Sequence, residues 1–191
     1  MSRRSAAARA GAVLAAALLV ASLAGCSSAG GGWTAVAPLS GETYAPGGAD
    51  PVIPVPADAW PAVVTYVHDG DTLYLSGSGR TERKTRLIGI DTPEVGDRGE
   101  CYGEAATELT RAFLPEGTAV LATNDLDPVD RYDRELVYLW LEDGTFVNLA
   151  IVELGAAEAV LFPPNDRYWD ELQAAEREAR DAGLGMWGAC G

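Results

Sequence analysis

Four acidic side chains stand in two tight clusters. Asp69 and Asp71 flank a glycine in Asp69-Gly70-Asp71-Thr72, and Asp91 and Glu94 frame Asp91-Thr92-Pro93-Glu94. Carboxylate oxygens are hard ligands. Pairs brought together from two strand ends suit a hard divalent cation, Ca2+ above all, with water completing the shell. Arg86 precedes Asp91 by five residues, and Arg134 ends the polar run Asp130-Arg131-Tyr132-Asp133-Arg134. Guanidinium groups beside such an ion could hold a phosphodiester and stabilise charge developing at phosphorus. Each piece also has a plainer use. Asp-Gly marks a hairpin, Asp-Thr-Pro-Glu caps a turn, and exposed arginines usually serve as surface ion-pair partners. In an unbroken strand Arg86 and Asp91 point to opposite faces, so a bulge or a strand end must intervene if both are to reach one site. His68 is the sole histidine; with no second histidine or serine nucleophile at a useful spacing, it is expected as an exposed strand-end residue.

The elements that must carry these groups follow from hydrophobic periodicity. Ala62 to Val67 is rich in β-branched and aromatic residues, Asp69-Gly70 turns, and Thr72-Leu73-Tyr74-Leu75 alternates as a returning strand. Gly77-Ser78-Gly79 turns again into a third strand, Lys84 to Ile90. Ala106, Leu109 and Phe113 have helical spacing, and Pro115-Glu116-Gly117 stops that run. Thr118–Thr123 and Leu136–Leu141 are further strands, and Asp143-Gly144 turns into Phe146-Val147. A short helix over Asn148–Leu154 ends at Gly155, and a last helix over Arg167–Asp181 aligns Tyr168, Leu172, Ala175 and Ala179 on one face. About five strands, with the meander first, predict a small closed barrel flanked by about three helices: a mainly β chain of the α+β class. Trp140, Trp169 and Trp187 are expected in packing roles, and Glu176–Arg180 as a solvated i,i+4 pair.

The ends of the chain carry a different signal. Arg3, Arg4 and Arg9 precede an apolar run over Gly11–Ala24 that is short for a bilayer span and has the length of a signal-peptide core. Leu23-Ala24-Gly25-Cys26 then resembles a bacterial lipoprotein processing box, which implies a leader over residues 1–25 and a lipid on Cys26. Residues 26–59, rich in Gly, Ala, Pro and Ser, read as a flexible tether; residues 60–191 have the size of one domain. The expected location is outside the cell, anchored on the outer face of the cytoplasmic membrane. Export leaves Cys101 and Cys190 in an oxidising compartment, where a disulfide is the default and metal ligation by two lone thiols the weaker alternative. Residues 60–191 hold 11 Arg and Lys against 25 Asp and Glu, a sign opposite to that of electrostatic nucleic-acid binders. Capture of a polyanion by such a surface is expected to be weak and salt-sensitive, and a bound cation would offset the field where it counts.

An ordered set of segments resembles the staphylococcal nuclease family. These are Val67-His68-Asp69-Gly70-Asp71-Thr72, Arg86-Leu87-Ile88-Gly89-Ile90-Asp91-Thr92-Pro93-Glu94, Tyr102-Gly103-Glu104-Ala105, Asp130-Arg131-Tyr132-Asp133-Arg134, Asn148-Leu149, Leu154-Gly155-Ala156-Ala157, Ala174–Ala182 and Gly185-Met186-Trp187. Order and spacing agree over nearly the whole domain. The resemblance implies an OB-fold five-stranded barrel and a Ca2+-dependent nuclease cutting DNA or RNA at the 5′ P–O bond to leave 3′-phosphates. It further implies Asp71, Asp91 and the Thr92 carbonyl as Ca2+ ligands, and Asp69 behind them orienting water. Glu94 would activate the attacking water, and Arg86 and Arg134 would clamp the phosphate.

Two regions depart from the family pattern. Asp133 stands where a glycine often precedes the second arginine, and its carboxylate is expected to pair with Arg134 or Arg131. Over Ala159-Val160-Leu161-Phe162-Pro163, apolar residues replace tyrosines and a lysine of the nucleotide pocket, and Phe162 remains able to stack on a base. A non-catalytic OB-fold module, binding nucleic acid or protein at the cell surface, is the competing function. The joint presence of Asp71, Asp91, Glu94, Arg86 and Arg134 favours the enzyme, with a monomer as the expected state.

Overall fold

Alternating apolar residues build the first sheet, and one extra residue changes its phase. In strand β1, Trp60–Val67, the inward residues are Ala62, Val64 and then Val67. The step of three follows from a bulge: Val64 pairs with Leu75 and Tyr66 with Tyr74, so Thr65 is extra. Strand β2, Thr72–Gly77, returns antiparallel and buries Leu73 and Leu75, and β3, Arg80–Leu87, pairs antiparallel with it. This is a computed structural model, and it describes residues 52–190 apart from 78, 97 and 98. The stretch expected as a leader, and Cys26, lie outside the described residues.

The third strand stops three residues earlier than its apolar sequence suggests. After Leu87 the chain turns through Ile88 and Gly89, and Ile90–Asp91 forms a separate short strand, β4. Gly89 has φ 80°, and a Cβ there would collide with Leu172, so only glycine makes this turn without strain. Helix α1, Gly103–Phe113, follows; then come strands β5, Ala119–Thr123, and β6, Glu135–Leu141. Antiparallel β5 pairs with both β1 and β6, and β6 runs parallel to β3, which closes a five-stranded barrel in the order β1-β2-β3-β6-β5. Phe146 bridges to Trp140, and Val147 already belongs to helix α2, Val147–Glu153. Strand β7, Glu158–Ala159, pairs with β4; helix α3, Trp169–Asp181, and the single turn α4, Met186–Ala189, complete the domain.

Leu73, Leu75, Leu87, Val120, Val137 and Leu139 fill the barrel, and Ala106, Ile151 and Leu172 from the helices extend the same core. A second cluster stacks Trp140 on Phe146 at 4.6 Å, edged by Tyr138 and Tyr168. Residues 52–59, which fall in the stretch expected as a tether, lie against the domain. Ile53 and Val55 pack on this aromatic cluster, and the Trp140 indole N–H donates to the Ile53 carbonyl at 3.3 Å. Cys101 and Cys190 are joined by a disulfide 89 residues apart in sequence. The tail that carries Cys190 is itself docked, since the Met186 N–H donates to the Gly155 carbonyl at 2.9 Å.

Candidate active site

The hairpin turn between β1 and β2 holds the first acidic pair. Asp69 Oδ1 accepts hydrogen bonds from the N–H groups of Asp71 (3.1 Å) and Thr72 (2.7 Å), an Asx turn that fixes the loop. Helix α1 pins the same loop from behind, because the buried Thr110 hydroxyl donates to the Gly70 carbonyl at 2.7 Å. Gly70 leaves room for the second acidic segment: a Cβ there would stand 2.6–2.8 Å from three atoms of the Thr92 side chain.

The break between β3 and β4 brings Arg86 and Asp91 together. The turn is stapled by Asn148, fully buried on α2, which donates to the Ile88 carbonyl at 2.9 Å and accepts from the Leu139 N–H at 3.0 Å. As a result the Arg86 guanidinium lies between two carboxylates, 2.9 Å from Asp71 Oδ2 and 2.6 Å from Asp91 Oδ1. Asp71 and Arg86 are buried, whereas Asp91 is exposed. Asp71 also accepts from the Thr92 N–H (2.9 Å), the Thr92 hydroxyl (3.0 Å) and the Thr72 hydroxyl (3.0 Å). Burial pushes the Asp71 carboxyl up to about 6, against the downward pull of Arg86 and the Thr92 N–H. A cation beside it would favour the charged form that burial opposes.

Asp69, Asp71, Arg86, Asp91, Glu94 and Arg134 all line one cavity of about 740 Å³. Glu94 is exposed there and Arg134 half-buried. Arg134 is held by Asp130, whose carboxylate accepts from its Nε at 2.6 Å and its N–H at 2.9 Å. Burial raises the Asp130 carboxyl, but the hydrogen bonds from Arg134 and Tyr132 outweigh it and hold the group below its ordinary value. Phe162 and Pro163 line the same cavity. Among the described residues no three His, Cys, Asp or Glu side chains form a preassembled metal cage. The acidic side chains on this wall, Asp69, Asp71, Asp91 and Glu94, nonetheless offer only oxygen ligands, and that chemistry fits a hard cation.

The residues matched by the family model described as staphylococcal nuclease homologue run from 84 to 189, more than half of the chain. The thermonuclease of Staphylococcus intermedius is 38% identical over 128 residues, covering 65% of this chain and 74% of the relative. That of Staphylococcus hyicus is 32% identical over 127 residues, covering 65% and 73%. The endonuclease YncB of Bacillus subtilis (strain 168) is 31% identical over 127 residues, covering 64% and 59%. The chain belongs to the staphylococcal nuclease family. Its five-stranded barrel with flanking helices is the fold expected of such a nuclease.

At one of the departures from the family pattern the structure corrects the expectation. Asp133 adopts the left-handed conformation, φ 60°, and its carboxylate faces Arg83 at 3.5 Å, not Arg134 or Arg131. Asp130 has already taken Arg134, and the left-handed turn sends Asp133 outward. Arg131 instead donates to the Tyr132 hydroxyl at 2.6 Å. His68 is exposed at the end of β1, Trp140 is fully buried, and Glu176 pairs with Arg180 at 2.7 Å. Trp187 packs under the Arg180 guanidinium at 3.9 Å.

Several working residues escaped the sequence: Asp130, Thr110, Gly70 and the stapling role of Asn148. Gly70 showed only as a turn residue, and Asp130 only by its spacing of four from Arg134, which outside a helix has no defined geometry.

Proposed function

We propose that this member of the nuclease family is a Ca2+-dependent phosphodiester hydrolase acting on DNA or RNA, cleaving the 5′ P–O bond to leave 3′-phosphates. The observation that carries the reading is the junction in which Arg86 joins Asp71 to Asp91 inside a cavity shared with Glu94 and Arg134. Asp71, Asp91 and the Thr92 carbonyl would hold the ion, which when bound supplies positive charge against a non-bridging phosphate oxygen. Asp69 shapes the loop beneath and orients water. Glu94, exposed in the cavity, takes the proton of the attacking water or positions that water for attack. Arg134, steadied by Asp130, presents its remaining N–H donors to the phosphate. Arg86 spends its guanidinium on two carboxylates, so a phosphate competes for those same donors as charge builds at phosphorus. Phe162, exposed at the cavity, offers a face for a base to stack on.

The test incubates the purified protein with plasmid, single-stranded DNA and RNA, in Ca2+ or in chelator. Ca2+-stimulated cleavage is expected, with Glu94→Gln slower by about 10²–10⁴-fold. Absence of any cleavage above a protein-free control would sink the enzyme reading, and cleavage indifferent to chelator would remove its Ca2+ dependence. The apolar leader-like run and Cys26 support export and lipid anchoring. No fatty-acid labelling of the wild type would remove the anchor, and labelling that survives Cys26→Ser would move the lipid off Cys26.

A further inference from the structure

Glu94 sits between two masses of structure, and one side chain ties it to the second. Its own segment is fixed on the barrel side by Thr92, which is locked to Asp71. On the other side, the Glu100 carboxylate accepts a hydrogen bond from the Glu94 N–H at 3.0 Å, while the Glu100 N–H donates to the Glu94 carbonyl at 2.8 Å. Both backbone polar groups of Glu94 are therefore satisfied by a single residue, six positions on. Gly103, at the start of α1, packs against the same backbone: a Cβ there would collide with the Glu94 carbonyl and stand 3.0 Å from that of Pro93.

Glu100 is anchored in turn. It is followed by Cys101, whose disulfide to Cys190 ties it to the docked tail, and the Gly103 N–H donates to the Glu100 carbonyl at 3.1 Å. A surface loop closed only by exposed hydrogen bonds opens readily, and the covalent bridge adjoining this clasp restrains its far end. We propose that Glu100, restrained by the Cys101–Cys190 bridge, is a positioning residue that holds the Glu94 backbone so that its carboxylate meets the attacking water at the right distance. The inference rests on the role given to Glu94 above. Proton transfer is steep in distance, so a loosened Glu94 lowers turnover while leaving the phosphate-binding groups untouched.

The experiment compares Glu100→Ala, which removes the acceptor, with Glu100→Gln, which keeps an oxygen able to accept from the Glu94 N–H. Glu100→Ala should lower kcat about tenfold with KM and melting temperature near wild type, and Glu100→Gln should restore most of it. Hydrogen exchange at the Glu94 amide should quicken about five- to tenfold in Glu100→Ala, the worth of one hydrogen bond, and stay slow in Glu100→Gln. The reduced protein, held below its melting temperature, should show faster exchange at the same amide. Wild-type kcat in Glu100→Ala while Glu94→Gln is inactive would overturn this inference alone. Equal losses in Glu100→Ala and Glu100→Gln would assign the effect to charge instead of the clasp and overturn it as well. Full activity of Glu94→Gln would remove the role of Glu94 itself, and this inference with it. Unchanged Glu94 exchange after reduction would take the bridge out of the clasp.

Discussion

Charge in this site is managed by short, specific hydrogen bonds more than by the field of the whole domain, and Asp130 shows how. Its carboxylate accepts from the N–H groups of Tyr132 (2.8 Å) and Arg134 (2.9 Å) and from the Arg134 guanidinium (2.6 Å). Its folded-state pKa is lowered, so the stability it contributes is fully present above the unfolded value and is lost as the pH falls through the folded one. Asp130→Asn should therefore unfold about 1–2 kcal/mol more easily than wild type at pH 7, with the gap closing in strong acid as the carboxyl protonates. Urea titrations at the two pH values measure this, and a gap that persists in acid would mean that shape, not charge, holds the loop. At pH 7 the same variant should also lower activity, because it frees Arg134 to wander from the cavity.

The break between β3 and β4 is the element on which the site depends most. Arg86 to Ile90 runs through Leu87, Ile88 and Gly89, and apart from the glycine nothing in it marks a stop at Leu87. The stop is set by tertiary partners: Leu172, which crowds Gly89, and Asn148, which ties Ile88 to α2 and β6. Asn148→Ala leaves the Leu139 N–H and the Ile88 carbonyl without their partner inside the core, and should cost about 2–3 kcal/mol. A loss under about 0.5 kcal/mol in denaturant unfolding would show that the turn does not need its staple. Strands β1 and β2 and helices α1 and α3 were legible because their apolar residues repeat at period two or near 3.6, whereas β3, with Leu87 as its one apolar residue, begins at Arg80 without such a signal. The acidic pairs and both arginines were legible as chemistry. Their positioning partners were not, because Thr110–Gly70 spans 40 residues and Asn148–Ile88 spans 60, and no local pattern encodes either. The outward turn of Asp133 was hidden for a similar reason, since Arg83 is 50 residues away.

At the scale of the whole molecule, the disulfide closes a covalent loop spanning 89 residues. The chain-entropy model sets its contribution at about 4–5 kcal/mol at most, so reduction should lower the melting temperature by roughly 10–20 °C. An unchanged melting curve, with two thiols titrating before reduction, would refute the bridge. The barrel itself closes along the parallel seam of β3 and β6, where Thr85 pairs with Glu135 and Arg86 with Leu136. That pairing sets Arg86 on one strand of the seam and Arg134 immediately before the other. Neither hairpin alone holds both guanidinium groups, so the proposed phosphate clamp forms only in a chain whose β3 and β6, far apart in sequence, have met. Such non-local pairings form late and slowly, over milliseconds to seconds. Recovery of cleavage during refolding should therefore lag behind recovery of secondary structure, which makes turnover a clock for the final closure of the barrel.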